Sequence, residues 1–204
     1  GAFSLGAASL GYDVLGLSWD EKNQNKASKR AKIFNKNASF DILDVRELHE
    51  RKDLKESFNF IICAENIEHI INDQKLMNDM NSCLATEGIL LLTAPNKDAV
   101  ISYPIWGDET QDEIEEVEDG GHVRLGYDKS DLIELCSKTG FDIISIEYCS
   151  GFFSQKITGL KRRLSKINFY LSWIIIFPLR ILPLFFDSLI KHPGHSICLI
   201  AKKK

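Results

Sequence analysis

The chain has 204 residues, of which 44% are apolar and 26% are charged, proportions that are typical of a soluble globular protein. This length predicts a single domain, 1–204, with a sizeable core. The net charge is −4, and eight of the twelve residues in 108–119 are acidic, which disfavours a nucleic-acid partner because a phosphate backbone would be repelled. The five cysteines form no CxxC pair; they indicate reduced thiols in a cytoplasmic compartment and predict neither a disulfide framework nor a metal site.

The first predicted elements alternate between helix and strand. Residues 2–10 are small and apolar and end at Gly11, as expected for a helix that packs closely on a sheet. A short apolar run over 12–18 predicts a strand. A polar segment rich in Ala and Lys, 21–36, then predicts an exposed helix, and ASFDILD, 38–44, predicts a second strand.

The strand predicted most clearly is FNFIICA, 58–64, because its continuous apolar run is typical of a parallel strand that is buried on both faces. Leucine and methionine at helical spacing predict a helix over 72–85, and GILLLTAP, 88–95, predicts another buried strand. The remaining predicted elements are a helix over 129–140 and strands over 141–149 and 195–203.

This alternation predicts an α/β fold with a mostly parallel sheet. The last two strands are separated by a long insert instead of a crossover helix, so we expect the last strand to be antiparallel. In such sheets ligands bind at the carboxyl ends of the strands, and a helix N-terminus at that edge attracts anionic groups. The candidate cofactor-binding residues follow the predicted strands or precede the first helix: they are Gly1, Ser18, Trp19, Asp20, Asp44, Val45, Ala64 and Glu65.

Several segments, in their order and spacing, resemble the class I S-adenosylmethionine-dependent methyltransferases over nearly the whole chain. GAFSLGAASLGYDVLGLS resembles the tail of that family's glycine-rich motif, with Gly1 as its last glycine, and FDILDVREL resembles its adenine-binding segment. FNFIICAENIEHI is similar to the family's fourth strand with the following E-H turn, and EGILLLTAPN to its fifth strand. GGHVRLGYDKSDLIELCSKTGFDIISIE resembles the stretch from the lid to the sixth strand, and HSICLIAKK resembles the closing antiparallel strand.

The resemblance implies a Rossmann-like methyltransferase fold, whose first strand and leading glycines precede the sequence given, and S-adenosylmethionine as the cofactor. It also implies that the Asp44 side chain and the Val45 N–H hold the adenine. Asp44 is alternatively a helix N-cap, because VREL follows it. The family has Asp or Glu where this chain has Ser18, so the ribose contact passes to Asp20 or Asn23. In having a hydroxyl residue at this position, the chain is similar to the cyclopropane-fatty-acid synthases.

Three residues are candidates for catalysis. Methyl transfer from a sulfonium needs mainly an aligned nucleophile, and it needs a base only where the acceptor is a hydroxyl or a phenol. His69, His122 and Glu65 are the candidate bases, and histidine titrates near neutral pH. The alternatives are that Glu65 is a surface carboxylate at a strand end and that the pair Glu68-His69 caps the next helix.

Two segments depart from the alternating pattern. Residues 101–128 form an acidic segment, which we interpret as a lid or as a solvated loop. The insert 151–194 combines a basic part, 155–166, with an apolar part, 167–190, that is interrupted by Arg, Asp and two Pro. This pattern predicts short helices that lie on a membrane surface or cover an apolar acceptor. It disfavours a helix that spans a membrane. A homodimer interface is the alternative.

We therefore expect an S-adenosylmethionine-dependent methyltransferase that acts on the oxygen or carbon of a small, hydrophobic or lipid-linked acceptor. Its expected location is the cytoplasm, with peripheral contact to the inner face of a membrane through 155–190. The alternatives are a catalytically silent binding or scaffold protein on the same fold and a fatty-acyl-modifying enzyme similar to the cyclopropane synthases, which GLSWDEKNQ suggests.

Overall fold

The computed structural model describes residues 1–34, 36–102 and 120–204. Within these residues the chain divides into two compact units, Gly1–Ser57 and Phe58–Lys204. The central part of the predicted acidic lid, 103–119, lies outside the described residues. The interpretation of 1–204 as one domain stays a prediction.

The first unit is a parallel pair of strands with helices packed on it. Its elements are α1 (Ala2–Ser9), β1 (Val14–Ser18), α2 (Glu21–Ile33), β2 (Ala38–Ile42) and two 3-10 helices at Val45–Glu50 and Lys52–Leu54. β1 and β2 pair in parallel, with Val14 opposite Ala38 and Ser18 opposite Ile42. The two α-helices and the two strands each match a predicted element to within a few residues.

Close packing in this unit depends on small residues and one buried amide. A Cβ atom on Gly16 of β1 would lie 2.7 Å from the Phe40 ring of β2, so the ring occupies the space that a side chain would need. On α2 the side chain of Gln24 is buried. Its Nε2 donates to the carbonyl oxygens of Gly16 at 2.8 Å and Asp41 at 2.6 Å. This amide therefore ties α2 to both strands.

The second unit is built on a four-stranded mixed sheet with helices. Its strands are β3 (Phe58–Ala64), β4 (Leu84–Pro95), β5 (Phe141–Cys149) and β6 (Ser196–Lys203), and its helices are α3 (Asp73–Cys83), α4 (Lys97–Ser102), α5 (Lys129–Lys138), α6 (Phe152–Ile167), α7 (Phe169–Leu179) and α8 (Leu182–Phe186). Short 3-10 helices span Ile67–His69 and Asp187–Leu189. The strand order is β3-β4-β6-β5.

The pairing confirms the predicted mixed α/β architecture. β3 and β4 are parallel, whereas β6 is antiparallel to both β4 and β5, so the last strand has the expected direction. The side chains of Leu90, Leu92, Ile197 and Leu199 are fully buried in the centre of the sheet. The core of this unit therefore lies along the β4–β6 pair, where apolar burial is greatest.

Two details of the predicted strands are wrong. β3 was expected to be buried on both faces, but Phe60 and Ile62 are 55% and 45% exposed, because β3 is an edge strand of the described sheet. β4 begins at Leu84 rather than at Gly88. Leu84 pairs with Phe58, and an irregularity in the ladder absorbs the extra residues before regular pairing resumes.

The start of α5 is fixed by a capping box and a lysine. The Asp128 side chain accepts a hydrogen bond from the Asp131 N–H at 2.8 Å, and the Asp131 side chain accepts one from the Asp128 N–H at 2.9 Å. The Lys97 Nζ lies 2.7 Å from Asp128 and 2.8 Å from Asp131. The Lys97 ammonium is the largest of the influences that hold the pKa of Asp128 well below its ordinary value.

We expect Asp128→Ala to lower the free energy of unfolding by about 1 kcal/mol near neutral pH, because the helix cap is lost. The folded-state pKa of Asp128 is depressed, so its contribution is complete above the ordinary value of 3.8 and is lost as the pH falls below it. Urea unfolding of both proteins near pH 7, where the contribution is present, and near pH 2, where it is largely lost, measures this difference. The control is Glu134→Ala, which removes only an exposed pair with Lys138; equal losses in the two variants would contradict the prediction.

Candidate functional site

In the first unit, parallel pairing brings two candidate turns to the same edge of the strand pair. Ser18 ends β1 opposite Ile42 of β2, and the Leu43 N–H donates to the Ser18 carbonyl oxygen at 3.1 Å. The turn that begins at Ser18 and the segment that begins at Asp44 therefore start side by side.

The first helix of this unit runs back along β1 from the same edge. α1 is joined to β1 by a tight turn in which the Tyr12 N–H donates to the Ala7 carbonyl oxygen, and a Cβ atom on Gly16 would lie 3.1 Å from the Ser4 hydroxyl. A Cβ atom on Gly1 would lie 2.6 Å from the Cβ of Ala27 on α2. Glycine is thus required for this close approach, and the N–H groups that open α1 lie toward the carboxyl ends of the strands.

The turn after β1 is organised by its own polar groups. The Ser18 Oγ accepts from the Asp20 N–H at 3.2 Å. Asp20 caps α2 by accepting from the N–H of Asn23 at 2.9 Å and from its Nδ2 at 2.6 Å. Trp19, between them, is 63% exposed. Asp20 and Asn23, the two candidates for the ribose contact, are therefore bonded to each other, whereas the Ser18 hydroxyl keeps its own hydrogen to donate.

The segment after β2 opens with Asp44, which caps the following 3-10 helix. Its carboxylate accepts from the Arg46 N–H at 3.0 Å and forms an ion pair with the Arg46 guanidinium, and these hydrogen bonds lower the pKa of Asp44. The N-cap alternative is therefore observed. Within the described part of the chain, no hydrogen bond engages the Val45 N–H. The adenine contacts of Asp44 and Val45 stay a prediction.

In the second unit, the end of β3 holds Glu65 in a constrained conformation. Ala64 pairs with Thr93 of β4, and the Glu65 N–H donates to the carbonyl oxygen of Thr93 at 3.0 Å and to its Oγ1 at 3.2 Å. Glu65 has a φ of 47°, a left-handed value that is uncommon for a residue other than glycine. The ladder thus continues one residue past the strand and fixes the direction of the Glu65 backbone.

The 3-10 helix that follows buries Glu68 and presents His69. Glu68 is 1% exposed, and its Oε2 has no hydrogen-bond partner among the described residues. Burial raises the pKa of Glu68 to about 7. The His69 Nδ1 lies 2.8 Å from the carbonyl oxygen of Gly121. A carbonyl oxygen only accepts, so Nδ1 carries the hydrogen and Nε2 is the acceptor of the neutral ring.

The structure brings His122 to the same place. The rings of His69 and His122 meet edge to face with centroids 4.6 Å apart, and the His69 Nε2 lies 3.9 Å from the Glu68 Oε1. Two of the three predicted catalytic residues therefore lie together. Among the described residues, the influence of Glu65 on this group is its charge, which is a smaller cause of the raised pKa of Glu68.

Backbone contacts hold this group in place. The Val123 N–H donates to the Glu68 carbonyl oxygen at 3.1 Å. The guanidinium of Arg124 donates to the carbonyl oxygens of Ile70 and Ile71 and pairs with Asp73. The segments that carry His69 and His122 are therefore joined at several points.

Glu68 is the functional candidate that the sequence did not single out. It is a charged residue between isoleucines in the I-E-H-I stretch 67–70. That placement is the available signal for burial, and a glutamate is almost never fully buried unless it is paired. Histidine is a candidate base by its residue type alone, whereas the pattern around Glu68 predicts only that the Glu68-His69 pair could cap the next helix.

Comparisons with known proteins address the family. A family model described as a methyltransferase domain matches residues 1–146. No curated protein sequence matches the chain.

Solved structures with the same fold are similar at low sequence identity. The PH0226 protein from Pyrococcus horikoshii OT3 is 15% identical with a TM-score of 0.63, over 100% of this chain and 77% of that one. Phosphoethanolamine N-methyltransferase 2 from Haemonchus contortus, solved with S-adenosyl-L-methionine, is 18% identical with a TM-score of 0.61, over 97% of this chain and 45% of that one. The cyclase SpnF is 13% identical with a TM-score of 0.56, over 94% of this chain and 66% of that one. The chain thus spans about two thirds of SpnF and less than half of the Haemonchus protein.

At these identities the structural likeness concerns the fold, whereas the family model reaches over more than half of the sequence. The fold, the order of the elements and the matched residues agree with the predicted resemblance. The chain therefore belongs to the methyltransferase-domain family, within the Rossmann-like, S-adenosylmethionine-dependent class that its sequence resembles.

Proposed function

We propose that this protein transfers a methyl group from S-adenosylmethionine to a small hydrophobic or lipid-linked acceptor that it meets at an anionic membrane surface. Methylation follows from the family. The observation that carries the acceptor class is the helical insert of the second unit, in which a basic helix is followed by helices with exposed apolar side chains.

The residues at the edge of the first unit suit an adenosyl compound. S-adenosylmethionine supplies an activated methyl group. A hydroxyl at Ser18, a carboxylate at Asp44 and the N–H of Val45 offer a donor, an acceptor and a second donor for ribose and adenine. The opening of α1 offers backbone N–H groups and a positive dipole end for a carboxylate. Trp19 offers an exposed ring as an apolar contact.

The second unit supplies a base for a hydroxyl acceptor. The His69 Nδ1–H is held by the Gly121 carbonyl oxygen, so Nε2 is directed as the proton acceptor. The Glu68 carboxylate at 3.9 Å from Nε2 would stabilise the imidazolium that results. A positioned base of this kind accelerates proton transfer by about 100- to 10,000-fold.

The insert folds as a helical hairpin with an apolar surface. Asp187 caps the start of α6 by accepting from the Phe153 N–H at 2.7 Å and the Ser154 hydroxyl at 2.5 Å, so the end of the insert returns to its beginning. The side chains of α7, α8 and the 3-10 helix after them that are most exposed are Tyr170, Ile174, Phe177, Leu184, Phe185 and Leu189. Apolar patches of this kind mark interaction surfaces.

Charge and hydropathy together favour a lipid surface for this patch. By length and composition, the segment Phe169–Leu189 could cross a membrane. Its mean hydropathy is 1.9, and 11% of its most apolar stretch is buried. However, α7 ends at Leu179 and α8 begins at Leu182, as predicted for short helices. α6 adds exposed Arg162, Arg163 and Lys166. Basic residues beside an apolar helical face bind anionic head groups.

Other functions remain as outcomes of the tests. SpnF is named a cyclase on the same fold, so the fold does not fix the reaction. A catalytically silent binding protein or a fatty-acyl-modifying enzyme would differ from the proposal in its affinity for S-adenosylmethionine or in its product. A homodimer interface would use the same apolar helices without lipid.

The cofactor role of Asp44 is tested by calorimetry with S-adenosylmethionine. We expect Asp44→Ala to weaken binding on the order of 10-fold or more, since a hydrogen bond to a charged group contributes about 1.5–3 kcal/mol. The control, Glu47→Ala, changes an exposed acidic residue of the same 3-10 helix and should leave the affinity unchanged. If Asp44→Ala lowers only the thermal stability, Asp44 is a cap and nothing more. An unmutated chain without affinity for S-adenosylmethionine would overturn the proposed function.

The membrane proposal is tested by co-sedimentation with vesicles of phosphatidylcholine, with and without phosphatidylserine. We expect charge reversal of Arg162, Arg163 and Lys166 to Glu to weaken binding to the anionic vesicles on the order of 100-fold, because each basic residue contributes about 1 kcal/mol.

The matched control for this experiment reverses three exposed cations on α2 of the first unit, Lys29, Arg30 and Lys32, and should retain binding. The pair Ile174→Ser and Phe177→Ser should weaken binding to both kinds of vesicle, since it removes apolar area. Absence of the unmutated chain from every vesicle pellet, together with a dimer in solution that the serine pair dissociates, would show that the apolar helices are a subunit interface.

A further inference from the structure

We infer that Glu68, His69 and His122 of the second unit bind one divalent transition-metal ion of the zinc type. The sequence predicted no metal site, because its cysteines are scattered; the ligands here are a carboxylate and two imidazoles. The use of the ion in catalysis rests on the proposed function, whereas its binding does not.

The ligand atoms already lie near one another. One atom from each of the three residues lies within 4.8 Å of the other two, and the His69 Nε2 to Glu68 Oε1 distance is 3.9 Å. Zinc bonds of about 2.0–2.2 Å in tetrahedral geometry place ligand atoms about 3.4 Å apart. The side chains therefore need only small rotations to close around an ion.

The second ring nitrogen of His69 has the partner that metal-binding histidines use. Its Nδ1–H donates to the Gly121 carbonyl oxygen at 2.8 Å, which leaves Nε2 with its lone pair on the side of Glu68. Such a hydrogen bond fixes the tautomer and the ring orientation of a metal ligand. Gly121 precedes His122 directly, so one segment both orients His69 and delivers the second imidazole.

The burial of Glu68 is an independent observation that points to a cation. Its carboxyl is 1% exposed and the Oε2 has no hydrogen-bond partner among the described residues, and an unpaired buried carboxylate is costly. Arg124 also acts on it through its charge, but that guanidinium is bonded to Asp73 and to the carbonyl oxygens of Ile70 and Ile71. An ion between Glu68 and the imidazoles would supply the missing partner.

Two histidines and one glutamate match the ligand set of open zinc sites, in which the fourth position binds water or substrate. At that position an acceptor hydroxyl would lose its proton more readily. The O–H bond breaks, its proton passes to solvent, and the oxygen forms a bond to the methyl carbon as the carbon–sulfur bond breaks and S-adenosylhomocysteine leaves. This role narrows the acceptor to an oxygen nucleophile. With the ion bound, His69 cannot also act as the base proposed above, because the single lone pair of its Nε2 is donated to the metal.

Titration of the full chain, first freed of metal with a chelator, tests the site. We expect one equivalent of Zn²⁺ to bind by calorimetry, and Co²⁺ to give the visible absorption of a four- or five-coordinate ion without a thiolate charge-transfer band. Glu68→Gln and His122→Ala should each weaken Zn²⁺ binding by about 100-fold or more. The control His49→Ala changes an exposed histidine of the first unit and should have no effect.

The outcomes separate this inference from the proposed function. A chain that binds S-adenosylmethionine but no Zn²⁺ overturns the metal site and leaves the methyltransferase proposal intact. A chain that binds Zn²⁺ but no S-adenosylmethionine supports the metal site and overturns the proposed function. Equal Zn²⁺ affinity in all variants, or a thiolate band with Co²⁺, would place the ion on cysteines and overturn the inference. Glu68→Gln keeps the shape of the buried group, and circular dichroism verifies that each variant is folded.

Discussion

In a parallel ladder the carboxyl ends of neighbouring strands must come to the same edge, and this constraint places the candidates Ser18, Asp44 and Glu65. In the first unit the pairing of β1 with β2 sets the Ser18 turn beside the segment that opens at Asp44. In the second unit the pairing of β3 with β4 fixes Ala64 against Thr93 and holds Glu65 past the last rung. Polar groups therefore collect where the ladders end.

A buried carboxylate is the central feature of the polar group in the second unit. Glu68 is buried with one oxygen unbonded among the described residues, and its pKa is raised to about 7 because burial disfavours the charged form. A histidine oriented by a backbone carbonyl and a second histidine ring lie beside it. This is the arrangement for which a base role and, with a bound ion, a metal site are proposed above.

The helical insert carries a second kind of constraint, since its apolar side chains are not covered within the described chain. Asp187, which interrupts the apolar sequence, is used internally as the cap of α6, so its charge does not oppose an apolar environment. The cations of α6 remain exposed. Exposed apolar helices beside exposed cations are the features on which the proposed lipid surface rests.

Local pattern was sufficient for most of the elements, because apolar periodicity and a helix-ending glycine such as Gly11 act over a few residues. It was also sufficient for the row of residues after each strand, since the direction of parallel strands fixes which end carries them. Local pattern did not predict the exposure of β3, because an apolar run of this length is expected both at the edge and in the centre of a sheet. The burial of Glu68, the meeting of His69 with His122 and the ion pair over Asp44 arose only on folding, because each depends on contacts or solvent exclusion that a short stretch of sequence does not encode.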